Sequence, residues 1–243
     1  MNYAKVVIKF LAILILGFFT GCTPTPLSRT APGPEWLYIQ VPDSLLSLSN
    51  EYKSCTPSGT GLAILSPFDA GEPQIILHWG DTQTENYHAY QIGEEQLVLI
   101  VNPNNPIAHV RYEDIQKVYF GKMPPLNWES LGGSNITLTL AGYPVESDIT
   151  RRFLQMIDRQ NPTLSPEMVI IPSPQEMRTF IANTPGGLGM LPKRWVDDSI
   201  RPLSVEGQIG TDKFPILALT SAEPQGKTLE WLLCVQKRLA EVQ

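Results

Sequence analysis

Residues 97–106 read Leu-Val-Leu-Ile-Val-Asn-Pro-Asn-Asn-Pro. The apolar residues at the start of this stretch predict a strand that begins at Glu95 and ends at Val101. Pro103 and Pro106 then stop the strand, because prolines this close together support neither a sheet ladder nor a helix. This break and a loop near residues 197–199 bound a central insertion, so we expect two lobes, with residues 102–200 forming the second.

Short apolar runs alternate with amphipathic stretches on both sides of this break, which is typical of an α/β fold. The run at residues 62–66 is continuous, as in a strand that is buried on both faces, and Asp43 is predicted to be the N-cap of the first helix. Strands are predicted over residues 36–41, 62–66, 74–79, 95–101, 136–140, 168–171, 187–191, 200–205 and 214–219, and helices over residues 43–53, 112–120, 147–157, 175–181 and 228–239.

Composition excludes several classes of protein. The 243 residues are 42% apolar, which is too hydrophobic for a disordered chain, and a formal charge of -6 argues against a nucleic-acid-binding surface. The three cysteines and three histidines offer no pair at zinc-ligand spacing, so we expect no metal and no cofactor. Motifs of serine hydrolases, phosphate loops and dinucleotide-binding turns are absent from the sequence, so we expect a protein that is not an enzyme.

The N-terminus has the features of a secretion signal. Lys5 and Lys9 precede an apolar run over residues 10–19 that is short for a membrane span. Residues 19–22, Phe-Thr-Gly-Cys, resemble the lipobox of bacterial lipoproteins, in which the cysteine is lipidated after cleavage. We therefore interpret residues 1–21 as a lipoprotein signal peptide, Cys22 as the lipidation site and residues 22–35 as a proline- and threonine-rich tether. A retained membrane anchor and an unlipidated signal are the alternatives.

Two further cysteines, Cys55 and Cys234, follow the tether. Outside the cytoplasm they could form a disulfide. The alternative is a pair of buried thiols that pack as small hydrophobic side chains.

Three segments in a fixed order carry a resemblance to a known family. The Asn-Pro turn of residues 102–106 is followed by Phe-Gly-Lys within residues 114–122 and by Asn-Trp-Glu-Ser-Leu-Gly-Gly at residues 127–133. A turn of small residues, Asn-Thr-Pro-Gly-Gly, begins at Asn183 and precedes a strand. Together these segments resemble the phosphate-binding proteins of ABC transporters and their relatives, over roughly residues 36–240.

The resemblance implies a type 2 periplasmic-binding-protein fold, in which two α/β lobes close on a ligand. Lobe one would comprise residues 36–101 and 201–243, and lobe two residues 102–200. The resemblance also implies a monomeric, extracytoplasmic protein of the bacterial cell membrane that binds a small solute, phosphate or another oxyanion, and delivers it to an ABC permease. The ligand would lie between the lobes, against helix N-termini.

The family's phosphate-binding motif is incomplete in this sequence. Phosphate binders of the family usually carry an arginine followed four residues later by Ser-Gly-Thr, whereas this chain has Tyr143 and then Ser147, Asp148 and Ile149. The missing arginine removes a bidentate clamp. Tyr143 would supply a hydroxyl in its place or cover the hinge, and Ser147 would contact the ligand or cap the helix.

Acidic residues at two predicted helix starts oppose an anion. Asp148 begins the helix after Ser147, and Asp43 and Ser44 follow the first strand. Each acid would disfavour an anion by about 0.3 to 1 kcal/mol. The alternative for Asp43 and Asp148 is N-capping without any ligand role.

The end of the third strand adds His78 and Trp79 to the candidate ligand-binding residues. His78 could donate a hydrogen bond to a ligand and Trp79 could stack on one, although an aromatic ring at this place more often packs inside the fold. Arg151 and Arg152 could reach back to an anion or lie in solvent.

Two hypotheses follow for the function. In the first, the protein is a lipid-anchored solute-binding protein of an ABC transporter. In the second, the same fold has lost transport and serves as a sensor or interaction module at the cell surface.

Overall fold

The computed structural model describes residue 33 and residues 35–81, 86–122, 127–157, 163–207 and 213–241. Cys22, the signal peptide and nearly all of the tether lie outside the described residues. Among the helices that are described, none has both the length and the apolar character needed to cross a bilayer.

Nine of the eleven strands form a mixed sheet in the order β2-β1-β3-β11-β4-β8-β6-β7, with β9 paired to β4, and β5 and β10 form a separate parallel pair. The strands β1, β2 and β3 run parallel to each other, and so do β6, β7 and β8. The strands are β1 Glu35–Gln40, β2 Thr60–Leu65, β3 Ile75–Trp79, β4 His88–Val101, β5 His109–Arg111, β6 Thr139–Gly142, β7 Val169–Ile170, β8 Gly187–Pro192, β9 Arg201–Pro202, β10 Ser204–Glu206 and β11 Lys213–Thr220.

Helices pack against this sheet. The α-helices are α1 Ser49–Ser54, α2 Tyr112–Tyr119, α3 Asp148–Ile157, α4 Pro174–Asn183 and α5 Gly226–Glu241, and three 3₁₀ helices span Asp43–Leu48, Trp128–Leu131 and Lys193–Trp195. The predicted inward faces of the first two helical segments are buried, with Leu45, Leu48 and Tyr52 in the first and Ile115, Val118 and Tyr119 in the second.

The long strand β4 belongs to both halves of the sheet. Residues 88–96 pair with β11, and residues 97–101 pair with β8. The strand β9 also pairs with β4, at Ile100 and Val101, and β10 pairs with β5. On these pairings we use the name lobe one for residues 35–96 and 213–241, and lobe two for residues 97–206.

The motif residues that carried the resemblance hold lobe two together. The Asn102 amide donates to the carbonyls of Ile181 and Ala182 at 3.0 and 2.8 Å, which caps the end of α4. The Trp128 indole is fully buried and donates to the Gly186 carbonyl at 2.9 Å. The Asn-Pro, Asn-Trp and Gly-Gly turns are thus structural in this chain.

The C-terminal helix α5 is fixed to lobe one at two points. A disulfide joins Cys55 to Cys234. The Trp231 indole donates to the Tyr52 carbonyl at 3.0 Å, and the two rings lie 5.8 Å apart. The disulfide alternative is therefore the one that the structure adopts.

Two local predictions in lobe one were wrong. The strand β2 is an edge strand, and its residues are half-buried instead of buried on both faces. The predicted helix over residues 43–53 is a 3₁₀ helix followed by the short helix α1, and Pro42 occupies its N-cap position. Asp43 is not the N-cap, because proline fixes the extended backbone that precedes the first turn.

Candidate functional site

A cleft lies where the carboxyl ends of parallel strands from the two lobes meet. Lobe one contributes Pro42 after β1, Pro67 after β2 and His78 near the end of β3, and lobe two contributes Tyr143 after β6. Ligands of open α/β sheets bind at such strand ends. The topology therefore places the predicted site between the lobes.

The cleft has two compartments that share Pro42, Pro67, Asp148 and Arg151. The wide compartment has a volume of about 420 Å³ and the narrow one about 160 Å³. The wide compartment is lined by Pro42, Asp43, Pro67, Phe68, Tyr143, Pro144, Glu146, Ser147, Asp148, Ile149, Arg151, Pro172 and Pro174, and the narrow one by Gln40, Pro42, Pro67, Ile76, Leu77, His78, Trp79, Asp148 and Arg151.

Ser44 and Asp148 join the lobes across the cleft. The Ser44 hydroxyl is fully buried and donates a hydrogen bond to Asp148 Oδ2. On its other side, the Ser44 carbonyl accepts a hydrogen bond from the Trp195 indole at 3.0 Å. Ser44 of lobe one is thus hydrogen-bonded to two residues of lobe two, Asp148 and Trp195.

The start of α3 is capped by its own residues. The Ile149 amide donates to Asp148 Oδ1 at 2.9 Å and to Ser147 Oγ at 3.2 Å. Ile149 itself is buried. Of the alternatives for Ser147 and Asp148, capping is present in the structure, and both residues also line the wide compartment.

Asp43 stands at the mouth of the wide compartment with its side chain exposed. Partial burial raises the pKa of its carboxyl, and the nearby Asp148 raises it further. Two acids that repel each other across a cleft favour a ligand group that is positively charged or that donates hydrogen bonds.

Tyr143 does not offer its hydroxyl to the cleft. The residue is 1% exposed, and its hydroxyl donates to the Met190 carbonyl at 3.1 Å. Burial raises the pKa of this phenol well above its usual value, with further contributions from Asp148 and Tyr119. The ring forms part of the wall, so the hydroxyl does not replace the missing arginine.

Of the two candidate ligand-binding residues at the end of β3, Trp79 packs inside the fold and His78 lines the cleft. Trp79 is fully buried, its indole donates to the Glu95 carbonyl at 3.3 Å, and its ring packs edge-on to Phe214 at 6.0 Å. His78 lines the narrow compartment, and its Nε2 atom is enclosed without a hydrogen-bond partner among the described residues. Burial lowers the pKa of His78, and the Arg152 charge lowers it further.

Of the two arginines of α3, Arg151 lines both compartments, whereas Arg152 belongs to neither lining and does not lie in solvent. It is 4% exposed, and its guanidinium lies over the Phe214 ring at 5.7 Å. A Cβ at Gly80 would lie only 2.0 Å from Arg152 Nη1, so the glycine leaves room for this side chain. The three- and four-residue spacing from Ile149 to Arg152, and on to Met156, would have placed Arg152 on the inward face.

The structure thus brings Asp43, His78, Ser147 and Asp148 together around one cleft, with Ser44 buried behind Asp148. It places Trp79 and Tyr143 in the surrounding packing and Ile149 in the helix cap.

Comparisons with known proteins agree with this architecture. No protein-family profile matches the sequence. The phosphate-binding protein PstS of Bacillus subtilis (strain 168) is 26% identical over 194 residues, a match that covers 72% of this chain and 62% of that protein. The chain therefore spans less than two thirds of the length of the curated relative that it matches.

Two solved structures have the same fold. One, from Clostridium perfringens, is described as a phosphate ABC transporter substrate-binding protein with bound phosphate; it is 17% identical with a TM-score of 0.74, over 83% of this chain and 93% of that one. The other is an ABC-type phosphate transport receptor from Vibrio cholerae, 15% identical with a TM-score of 0.63, over 85% and 95% of the two chains. The predicted α/β type 2 periplasmic-binding-protein fold is confirmed, and so is the resemblance to phosphate-binding proteins of ABC transporters.

Proposed function

We propose that the protein is an extracytoplasmic substrate-binding protein that captures a small solute with an oxyanion group and delivers it to an ABC permease. The observation that supports this most is the cleft itself, which lies at the strand ends of both lobes. Its narrow compartment is lined by Arg151 and by His78, whose Nε2 atom has no hydrogen-bond partner within the described ranges. Two lobes that close on a cleft bind a solute by surrounding it. Because one chain supplies both lobes, we propose that the protein acts as a monomer.

Membrane attachment through a lipid completes the proposal. The lipobox-like sequence that ends at Cys22 and the tether that follows support a lipoprotein held outside the cytoplasm. The disulfide between Cys55 and Cys234 supports the same location, because disulfides persist in oxidising compartments. We assign no catalytic activity and no cofactor.

The ligand need not be phosphate. The arginine clamp of phosphate binders is absent, and the Ile149 amide at the start of α3 is already bonded to Ser147 and Asp148. Arg151 lines both compartments and His78 lines only the narrow one, so an oxyanion in the narrow compartment would meet both side chains. We therefore place the oxyanion group of the ligand in the narrow compartment.

One observation favours the second hypothesis, a sensor or interaction module. The Ser44–Asp148 hydrogen bond joins the two lobes directly across the cleft. Beside it, the Phe68 side chain is 94% exposed at the mouth and lines the wide compartment. Such a protein would use the closed form to contact a partner at the cell surface.

Titration calorimetry of the purified protein against phosphate, sulfate, molybdate and small organic oxyanions tests the proposal. We expect saturable heat with at least one oxyanion-bearing solute. A folded protein that gives no heat with any of them contradicts the proposal and favours the interaction module.

A further inference from the structure

The wide compartment of the cleft has a largely apolar wall that both lobes supply. Pro42 and Pro67 come from lobe one, and Pro144, Pro172 and Pro174 come from lobe two. A proline has no backbone N–H to offer a ligand, and its ring loses no rotamer freedom when it is covered. The described part of this wall therefore favours contact with an apolar group over hydrogen bonding to an anion.

Three backbone amides of the same wall are already hydrogen-bonded within their own turns. The Phe68 amide donates to Ser66 Oγ at 3.3 Å, and the Ser147 amide donates to the Pro144 carbonyl at 3.0 Å. The Ile149 amide donates to Ser147 Oγ at 3.2 Å. A ligand that needs several donors, as phosphate does, finds these three amides occupied, whereas an apolar group loses no hydrogen bond by lying beside them.

Two aromatic rings add to the apolar wall. Tyr143 is buried and its hydroxyl donates to the Met190 carbonyl, so this residue adds its ring to the wall and not a polar group. Phe68 is 94% exposed at the mouth, the highest value among the large apolar residues that the structure describes. An exposed ring beside an apolar cavity is typical of a binding groove, because a bound apolar group removes both surfaces from water.

The acids of the wide compartment do not require a cation from the ligand. Asp43 and Glu146 are exposed residues, so their carboxylates can stay hydrated beside a bound apolar group. Asp148 accepts hydrogen bonds from the Ile149 amide and from the Ser44 hydroxyl. The space between these residues is therefore open to the apolar part of a solute.

The size of the wide compartment suits a small organic molecule. Its volume of about 420 Å³ lies within the range of about 300 to 1,000 Å³ that is usual for pockets of organic ligands. It joins the narrow compartment at Pro42, Pro67, Asp148 and Arg151. A bare tetrahedral oxyanion in the narrow compartment would leave the wide one unfilled, whereas an organic oxyanion would extend into it.

We propose that the solute is an organic oxyanion whose apolar body, about the size of one aromatic ring, lies in the wide compartment between Phe68 and the prolines of both lobes. This inference rests on the proposed function, since it names the class of solute for the same cleft. It explains why prolines and a phenyl ring line a cleft whose fold is shared with phosphate-binding proteins.

Calorimetry with two matched pairs of ligands tests the inference. The pairs are phenylphosphonate with methylphosphonate, and benzenesulfonate with methanesulfonate, and inorganic phosphate is titrated beside them. In at least one pair, we expect the aryl member to bind about tenfold or more tightly than its methyl partner and than phosphate, because its ring is removed from water.

Two variants locate the apolar body. Phe68→Ala should reduce the advantage of the aryl ligand severalfold, and the variant should fold as the wild type does, because the Phe68 side chain is exposed. Tyr87→Ala is the control, at an exposed aromatic residue outside the lining of either compartment, and it should leave the advantage unchanged. Circular dichroism confirms the fold of both variants.

The outcomes separate this inference from the proposed function. If phosphate or a methyl ligand binds as tightly as the aryl ligands, the inference is wrong and the oxyanion-binding function stands. If none of the five ligands binds to the folded protein, the inference fails, and the function falls as well once the wider oxyanion panel is also silent. If the aryl ligands bind more tightly but Phe68→Ala and Tyr87→Ala behave alike, the apolar body does not lie against Phe68 and the assignment is overturned.

Discussion

The Ser44 hydroxyl donates a hydrogen bond to the Asp148 carboxylate across the cleft, between residues that lie 104 positions apart in the chain. Ser44 belongs to the 3₁₀ helix Asp43–Leu48 of lobe one, and Asp148 is the first residue of α3 in lobe two. Because Asp148 also lines both compartments, this bond links closure of the lobes to the site itself.

Ser44→Ala should weaken the closed form, because Asp148 keeps its charge and loses a buried donor. We expect the free energy of unfolding to fall by about 1 to 3 kcal/mol, measured by urea denaturation. Ser204→Ala, at an exposed serine on β10, is the matched control. An effect of Ser44→Ala no larger than that of the control would show that the bond contributes little.

Reduction of the Cys55–Cys234 disulfide should destabilise the fold. The bridge spans 179 positions and fixes α5 to lobe one, so its loss frees a long loop in the unfolded chain. We expect the double variant Cys55→Ala, Cys234→Ala to lose about 2 to 5 kcal/mol of unfolding free energy. Thermal melting of the wild type with and without dithiothreitol compares the reduced and the disulfide-bonded protein, and we expect a lower melting temperature with dithiothreitol. A melting temperature that dithiothreitol does not change would contradict the prediction.

Cys22→Ser should move the protein from the membrane fraction to the soluble fraction after cell breakage. A lipid on Cys22 would be the anchor in the proposed lipoprotein, and serine accepts no thioether lipid. Immunoblotting of the fractions measures the distribution, with the double variant of Cys55 and Cys234 as a control that keeps the anchor. A Cys22→Ser protein that stays with membranes would support a retained helical anchor instead.

Asp43 should make stability depend on pH. Its pKa is raised above 3.8 in the folded protein by burial and by Asp148, so the folded state favours the protonated carboxyl. This contribution is complete below pH 3.8 and is lost as the pH rises through the raised pKa. Asp43→Asn should therefore raise the melting temperature at pH 7 and change it little near pH 3. Because the side chain is exposed, the gain should be below about 1 kcal/mol.

Glu113→Gln is the control for the melting experiment with Asp43→Asn, because Glu113 is an exposed acid on α2, outside the cleft lining. Equal pH profiles for wild type and Asp43→Asn would mean that folding does not raise the pKa of Asp43.

Much of the fold was predictable from local patterns. The apolar runs predicted the principal strands, and the Asn-Pro break at residues 102–106 lies just beyond the strand that joins the lobes. No local pattern, however, links residues 97–101 to β8 or residues 201–206 to β4 and β5. Such long-range partners leave no local signal in a single sequence.

Several candidate residues were predictable as cleft residues, whereas their contacts were not. Family spacing located Asp148 and Ser147, but it could not show that Asp148 accepts a hydrogen bond from Ser44. The burial of Arg152 was not predictable either, because it depends on Phe214 and Gly80, which approach from the other lobe.

The central claim is that solute binds at the narrow end of this cleft, and the most direct measurement is calorimetry of wild type beside His78→Asn. The tightest ligand of the wild type is used, with His88→Asn, an exposed histidine at the start of β4, as the control. We predict about tenfold or greater loss of affinity in His78→Asn and wild-type affinity in His88→Asn. Equal affinities in all three proteins would contradict the claim and place the ligand elsewhere.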